Sequence, residues 1–201
     1  MRKITTTTFI TLDGVMQAPG GPKEDTSNGF KYGGWQQDWD EVDNVADKIM
    51  NDFMAVPYDL LLGKLTYDIW AGFWPLHKEI PLFGKSFDRA AKYVIAHKPF
   101  KLSWDNSVLI TGNVVADIRK LKKSDGPDLV VWGSGKLIQT LLAHNLIDQM
   151  HIWTYPVTLG TGKKLFAEGT RPEKFKPVDT KITSTGVIFA TYEPSEPLKT
   201  K

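Results

Sequence analysis

Asp128-Leu-Val-Val-Trp-Gly-Ser-Gly-Lys-Leu-Ile138 carries a strand, a turn and a helix start in one run. Leu129 to Trp132 form a short apolar stretch of strand length. Gly133-Ser134-Gly135 supplies the small residues that a tight turn needs. Leu137, Ile138, Leu141 and Leu142 then recur on one helical face. A buried strand that ends in glycines and feeds a helix is a βα unit, so the chain reads as an α/β protein with parallel strand pairing.

Similar units flank it. Tyr58-Asp-Leu-Leu-Leu-Gly63 is a second strand closing on a glycine, followed by a short helical segment around Thr66 to Ala71. Upstream, Val42, Val45, Ala46, Ile49, Met50, Phe53 and Met54 predict an amphipathic helix. Its N-cap is expected among Asp38 to Asp40, and Pro57 ends it. Lys3 to Leu12, rich in threonine, predicts the first strand; Lys92–Ala96 and Ser107–Thr111 predict two more. Val114, Val115, Ile118 and Leu121 mark a helix whose basic face, Arg119 to Lys123, reads as solvated. Residues 147–159 and about 173–193 look all-β, with a turn at Thr185-Gly186. Strands that alternate with helices and finish in a strand-only tail predict a mixed sheet in one domain, antiparallel at one edge. Asp13 to Trp39 is long and dense in glycine, proline and polar residues. It is either a lid or binding loop or a mobile surface excursion.

Composition removes several function classes. The chain has 201 residues, with 25 Lys+Arg against 23 Asp+Glu, so a net charge of +2 offers no field for nucleic acid or an anionic membrane. It has no cysteine, which excludes disulfides, thiolate zinc and a cysteine nucleophile. His77, His97, His144 and His151 lack metal-ligand spacing, so no metal site is expected, and no GxSxG supports a serine hydrolase. There is no apolar core of a signal peptide after Met1 and no 18-residue apolar run, so the expectation is a cytoplasmic protein.

Chemistry concentrates at strand ends. At Gly133, Ser134 and Gly135 a glycine-rich turn meets a helix N-terminus, where free N–H groups and the helix dipole favour an anion such as phosphate. It is neither a Walker loop, with Val130 and Leu137 in the wrong places, nor a complete GxGxxG, with Ile138 at the last position. Gly63, Lys64 and Thr66 make a second such turn, with a mobile cation and a hydroxyl. Two such turns on neighbouring parallel strands converge at the carboxyl edge of the sheet, where one diphosphate ligand spans both. His97 and Lys98, just past another strand, suit a further phosphate. Asp13, in Thr11-Leu-Asp-Gly14, is either a turn residue or a catalytic and substrate-orienting carboxylate at the mouth of the site. Trp35 is a substrate-binding candidate, and Asp40 is either a helix cap or a desolvated proton donor.

In combination and order these residues resemble the dihydrofolate-reductase-like superfamily. The resemblance rests on Thr11-Leu-Asp-Gly14, Leu60-Leu-Leu-Gly63 with Thr66-Tyr67, Gly133-Ser-Gly135 with Leu146-Ile-Asp148, and Pro156-Val-Thr-Leu-Gly160 through Phe166. More narrowly, the chain is similar to the group related to the C-terminal reductase domain of the bifunctional riboflavin-biosynthesis deaminase/reductase, over about residues 3–193. That resemblance implies a three-layer fold around a mixed, mostly parallel sheet of about eight strands with an antiparallel C-terminal edge. It also implies NADPH as cofactor, a small-molecule substrate and a homodimer. Gly63, Lys64, Thr66 and the 133–135 loop would hold the pyrophosphate, with His97 or Lys98 near the adenosine phosphate; Asp13 and the long loop would face the substrate. Trp35 and Asp40 sit five residues apart, as do a tryptophan and the substrate-binding acid of dihydrofolate reductases. The expected activity is hydride transfer to a heterocyclic, ribosylamino-pyrimidine or pterin-type substrate. The alternatives are a non-catalytic nucleotide-binding or regulatory module on the same fold, and an interaction protein without cofactor.

Overall fold

Alternation along the first strand, β1 (Ile4–Thr11), divides the core in two, because successive side chains point to opposite faces. The computed structural model describes residues 1–39 and 43–196. After β1 come α1 (Asn44–Ala55), β2 (Tyr58–Gly63), α2 (Lys64–Ala71), α3 (Gly84–Arg89), β3 (Lys92–Ile95) and β4 (Ser107–Ile110). The chain continues through α4 (Val114–Lys123), β5 (Asp128–Trp132), α5 (Gly135–Ala143), β6 (Gln149–Tyr155), β7 (Phe175–Ile182) and β8 (Ile188–Pro194). All eight strands form one sheet in the order β4-β3-β2-β5-β1-β6-β8-β7. Pairings from β4 to β6 are parallel; β6–β8 and β8–β7 are antiparallel. This is the mixed sheet with an antiparallel C-terminal edge that the sequence predicts.

Register fixes what each face carries. Thr7 lies opposite Trp132 and His151, and Phe9 opposite Trp153, so these side chains share one face. That face, with Leu60, Leu62 and Val94, is covered by Met54 of α1, Tyr67 of α2 and Phe87 of α3. The other face, with Ile4, Leu61, Leu129 and Val131, packs on Ile118 of α4 and on Ile138 and Leu141 of α5. Helices on both faces of a largely parallel sheet give three layers.

The structure differs from the sequence reading at two places, the cap of α1 and a helix before β3, and at a third, the long 13–39 segment, it bears on alternatives left open. The cap of α1 is Asp43, not a residue among Asp38 to Asp40: its carboxylate accepts from the Val45 and Ala46 amides at 2.8 and 2.9 Å. The Ser184 hydroxyl and amide also bind it, and these bonds hold its pKa down to about 2. A further helix, α3, stands between α2 and β3, where the sequence reading names no element. The long 13–39 segment is pinned rather than free. Gln17 receives the Trp35 indole N–H on its carbonyl (2.8 Å) and the Lys163 amide on its side chain (3.0 Å). Lys163 also pairs with Asp25 at 2.6 Å. The Thr185-Gly186 turn forms as expected, with Gly186 at φ +83°.

His151, on β6, is wedged between Phe53 and Phe189 at 5.4 and 5.6 Å, and burial pushes its imidazole pKa down to about 4. A histidine that stays neutral in the fold but titrates near 6.5 when unfolded favours unfolding as pH falls through that window. Stability should therefore decline from about pH 6.5 toward pH 4, by up to about 3 kcal/mol from this residue. Urea unfolding at pH 7.5 and 4.5 checks it: His151→Leu should lose less stability between the two pH values than the parent. An equal loss would contradict the assignment.

Among the described residues no helix is long and apolar enough to cross a membrane, and no group of His, Cys, Asp or Glu is placed to hold a metal ion.

Candidate active site

Parallel strands end together, and here the carboxyl ends of β1, β2, β3, β5 and β6 border one cleft of about 2140 Å³. Typical small-molecule sites hold roughly 300–1,000 Å³. The cleft has room for a cofactor and a second molecule side by side.

Its floor is the meeting of two βα junctions. Gly63 ends β2, Gly133 follows β5, and the two strands are neighbours. The Gly63 amide donates to Ser134 Oγ at 3.0 Å, and Ser134 Oγ donates to Thr66 Oγ1 at 2.8 Å. Gly133 (φ +69°) and Ser134 (φ +62°) both adopt the left-handed conformation. The first suits glycine; the second is paid for by those two hydrogen bonds. Neither α2 nor α5 has a side-chain cap on its N-terminus. Their first-turn amides have no carbonyl within the helix to receive them, so two partial positive charges face one cleft. A Cβ built on Gly133 would find its nearest neighbour, Thr66 Oγ1, 3.9 Å away, which leaves open space against the backbone.

Cations surround this floor. His97 and Lys98 line the cleft beyond β3, and Lys136 lines it from the first turn of α5. Lys64 lines it too, but its ammonium is held by Asp68 at 2.5 Å and lies over the Phe100 ring at 4.5 Å. The long loop lines the cleft as well, from Met16 to Asp25 and again at Gln36 and Trp39.

The sequence-predicted residues therefore separate. Gly63, Lys64, Thr66, His97, Lys98, Gly133, Ser134 and Gly135 come together on one cleft. Asp13 is not among its lining residues: its carboxylate accepts from the Thr11 hydroxyl (2.6 Å) and from the Leu159 and Gly160 amides (3.2 and 2.8 Å). The Thr11 hydroxyl and those amides hold its pKa below the ordinary value, so Asp13 serves the turn. Trp35 stands behind the wall, edge-on to Tyr155 at 5.3 Å, and does not line the cleft either. Asp40 lies outside the described residues.

Other lining residues escape the sequence reading. Glu24 faces the cleft, and burial pushes its carboxyl up despite hydrogen bonds from the Gly20 and Gly21 amides. Thr7, 2% exposed, lines the floor with its hydroxyl unpartnered. Asp47 and Met50 reach the cleft from α1, Trp70 walls it from α2, and Trp74 and Phe83 wall it from the segment between α2 and α3. The only sequence signal for that wall is its density of aromatic residues.

A family model described as the RibD C-terminal domain matches residues 2–189. The chain belongs to the RibD C-terminal domain family. Two Bacillus subtilis (strain 168) proteins are similar to this member: YyaP is 26% identical over 95% of this chain and 94% of its own length, and YwjB is 26% identical over 90% and 91%. Among solved structures, a Shewanella sp. PV-4 protein described as a riboflavin biosynthesis protein aligns with TM-score 0.70 and 21% identity over 96% of this chain and 99% of that one. Dihydrofolate reductase from Enterococcus faecalis, in complex with NADP(H) and RAB-propyl, aligns with TM-score 0.58 and 14% identity over 96% and 97%. A pyrimidine reductase-like protein from Corynebacterium diphtheriae aligns at the same TM-score, with 12% identity over 97% and 92%. The RibD C-terminal domain chain thus has the dihydrofolate-reductase-like fold, and its family supports a reductase type of activity.

Proposed function

We propose that this protein is an NADPH-dependent reductase that acts on a C=O or C=N carbon of a small heterocyclic or opened-sugar substrate. The observation that carries the reading is the junction of β2–α2 with β5–α5, where Ser134 bridges Gly63 and Thr66 under two uncapped helix ends. The residues present fit a dinucleotide. The amides of the first turns of α2 and α5 would hold its diphosphate, Gly133 leaves the space to approach, and His97, Lys98 and Lys136 would meet a further phosphate. When bound, NADPH supplies the hydride and is oxidised to NADP⁺, while the substrate carbon gains a C–H bond and its π pair is protonated on oxygen or nitrogen.

The chain's own part is positioning, exclusion of water and delivery of that proton. Glu24 is a cleft carboxyl whose pKa is raised by burial, and we assign it the proton; Asp40 is the second carboxylate that we assign to this work. An acid must hold its proton to donate it, so turnover should fall as pH rises through the pKa of Glu24. Glu24→Gln should lower kcat by about 100-fold and remove that alkaline limb from the pH profile. A profile unchanged in shape would move the proton donor elsewhere.

The test of the function is NADPH oxidation, followed at 340 nm, against a panel of pterins, pyrimidines and ribosylamino-pyrimidines. We expect substrate-dependent oxidation, and tighter binding of NADPH than of NADH. Saturable binding with no oxidation across the panel would instead make the protein a non-catalytic nucleotide-binding module. We also read the chain as a homodimer on family likeness, which sedimentation equilibrium would check.

A further inference from the structure

We propose that the substrate is a planar, uncharged and unphosphorylated compound; this rests on the reductase reading and narrows its substrate class. The cleft is chemically divided. Over the face of the sheet that carries Thr7, Phe9 and Trp132, a run of rings lines it in unbroken contact. Phe73 meets Trp74 at 5.1 Å, Trp74 meets Phe87 at 4.8 Å, and Phe87 meets Trp132 at 5.3 Å. Trp132 meets Phe9 at 6.4 Å, Phe9 meets Tyr155 at 6.0 Å, and Tyr155 meets Trp39 at 5.7 Å. Phe87, Trp132 and Tyr155 are buried in this wall, so the ring surface offered to a flat guest is that of Phe73, Trp74, Phe9 and Trp39.

No cation answers from this side. Among the described residues of α1 and of segment 69–87 that line the cleft, the one charged group is an acid, Asp47. Residues 40–42, Asp-Glu-Val, contribute no basic residue type. Lys78 of the same segment pairs with Asp88 at 2.8 Å, Lys85 is exposed on α3 and His77 stacks on Phe73 at 4.0 Å, all three outside the lining, and Lys64 is held by Asp68. The remaining cleft cations gather toward β3 and α5: His97, Lys98, Lys136, and Lys163 and Lys164, whose segment is tied to α5 by the bond from Gln139 to the Leu165 carbonyl. Lys23 is exposed on the loop. A phosphate placed against the aromatic wall would lose its water, gain no ion pair and face an acid. Thr7, on the same face as Trp132, lines this side without adding a charge, which suits a neutral heterocycle.

Riboflavin and riboflavin 5′-phosphate differ only in the phosphate, and so probe this directly. Calorimetric titration of each into the protein saturated with NADP⁺ should show riboflavin binding and the phosphate at least about tenfold weaker. In Leu82→Arg, which adds a cation to the cleft at an exposed position, the gap should narrow. Equal or tighter binding of the phosphate, no binding of riboflavin, or an unchanged ratio in Leu82→Arg would overturn the proposal. The preceding titration of NADP⁺ alone separates the two readings. If NADP⁺ fails to bind while the preference for riboflavin persists, the reductase reading falls and the ligand class stands.

Discussion

Gly133→Glu is expected to keep its fold and to lose about 100-fold or more of its NADPH affinity. Position 133 has φ +69°, so any side chain there costs about 1–2 kcal/mol of backbone strain, and the nearest atom to its Cβ is 3.9 Å away. That strain lowers stability without abolishing folding. The carboxylate itself would lie where the N-termini of α2 and α5 meet, at the place assigned to the diphosphate. It would compete for the same amides and repel the ligand by like charge, an effect of several kcal/mol. Gly133→Ala is the control, since it carries the same strain without the charge and should lose far less affinity. Fluorescence titration with NADPH reads both, with thermal unfolding as the check on folding. Equal losses in the two variants would mean that backbone geometry, not charge, governs the site; no loss in either would place the cofactor elsewhere.

Arg2→Met should lower the free energy of unfolding by about 3–5 kcal/mol. Arg2 is 3% exposed and lies at the end of the sheet opposite the cleft, where its guanidinium binds the Asp59 carboxylate and the Pro127 carbonyl. The Tyr93 ring covers it at 5.3 Å, and a Cβ on Gly126 would come within 3.2 Å of the guanidinium, so the group is enclosed on several sides. Removing it leaves a mostly buried carboxylate with the Ala91 amide but no cation. Exposed pairs such as Lys48–Asp52 contribute only about 0–1 kcal/mol, and Lys48→Ala provides the comparison. Urea unfolding measures both. A loss under about 1 kcal/mol in Arg2→Met would show that Asp59 finds water in the fold. NADPH affinity should be unchanged in the variant.

What the sequence reveals follows the range of the interactions that decide it. β2 with α2 and β5 with α5 are legible because apolar runs, glycine stops and helical periodicity are local, and the phosphate-competent turns go with them. The cap of α1 is not. Asp38, Asp40, Glu41 and Asp43 are near-equivalent carboxylates in sequence, and the choice falls to Asp43 through Ser184, 141 residues away. The choice between the two readings of Asp13 is illegible for a similar reason, because the amides that occupy its carboxylate come from Leu159 and Gly160. Six-residue α3, set between Pro81 and β3, is too short to display a helical period. The aromatic wall is invisible to pattern reading because it draws on β1, β5, β6, α3, the segment before α3 and the long loop, which only the tertiary fold brings together.

Amide proton–nitrogen correlation spectra recorded during addition of NADPH test the dinucleotide site most directly. Saturable shifts should be largest at Lys64, Leu65 and Thr66 and at Ser134, Gly135 and Lys136, while the opposite end of the sheet, around Arg2 and Asp148, stays still. No saturable change at millimolar NADPH, or changes confined to residues outside the two junctions, would contradict the assignment.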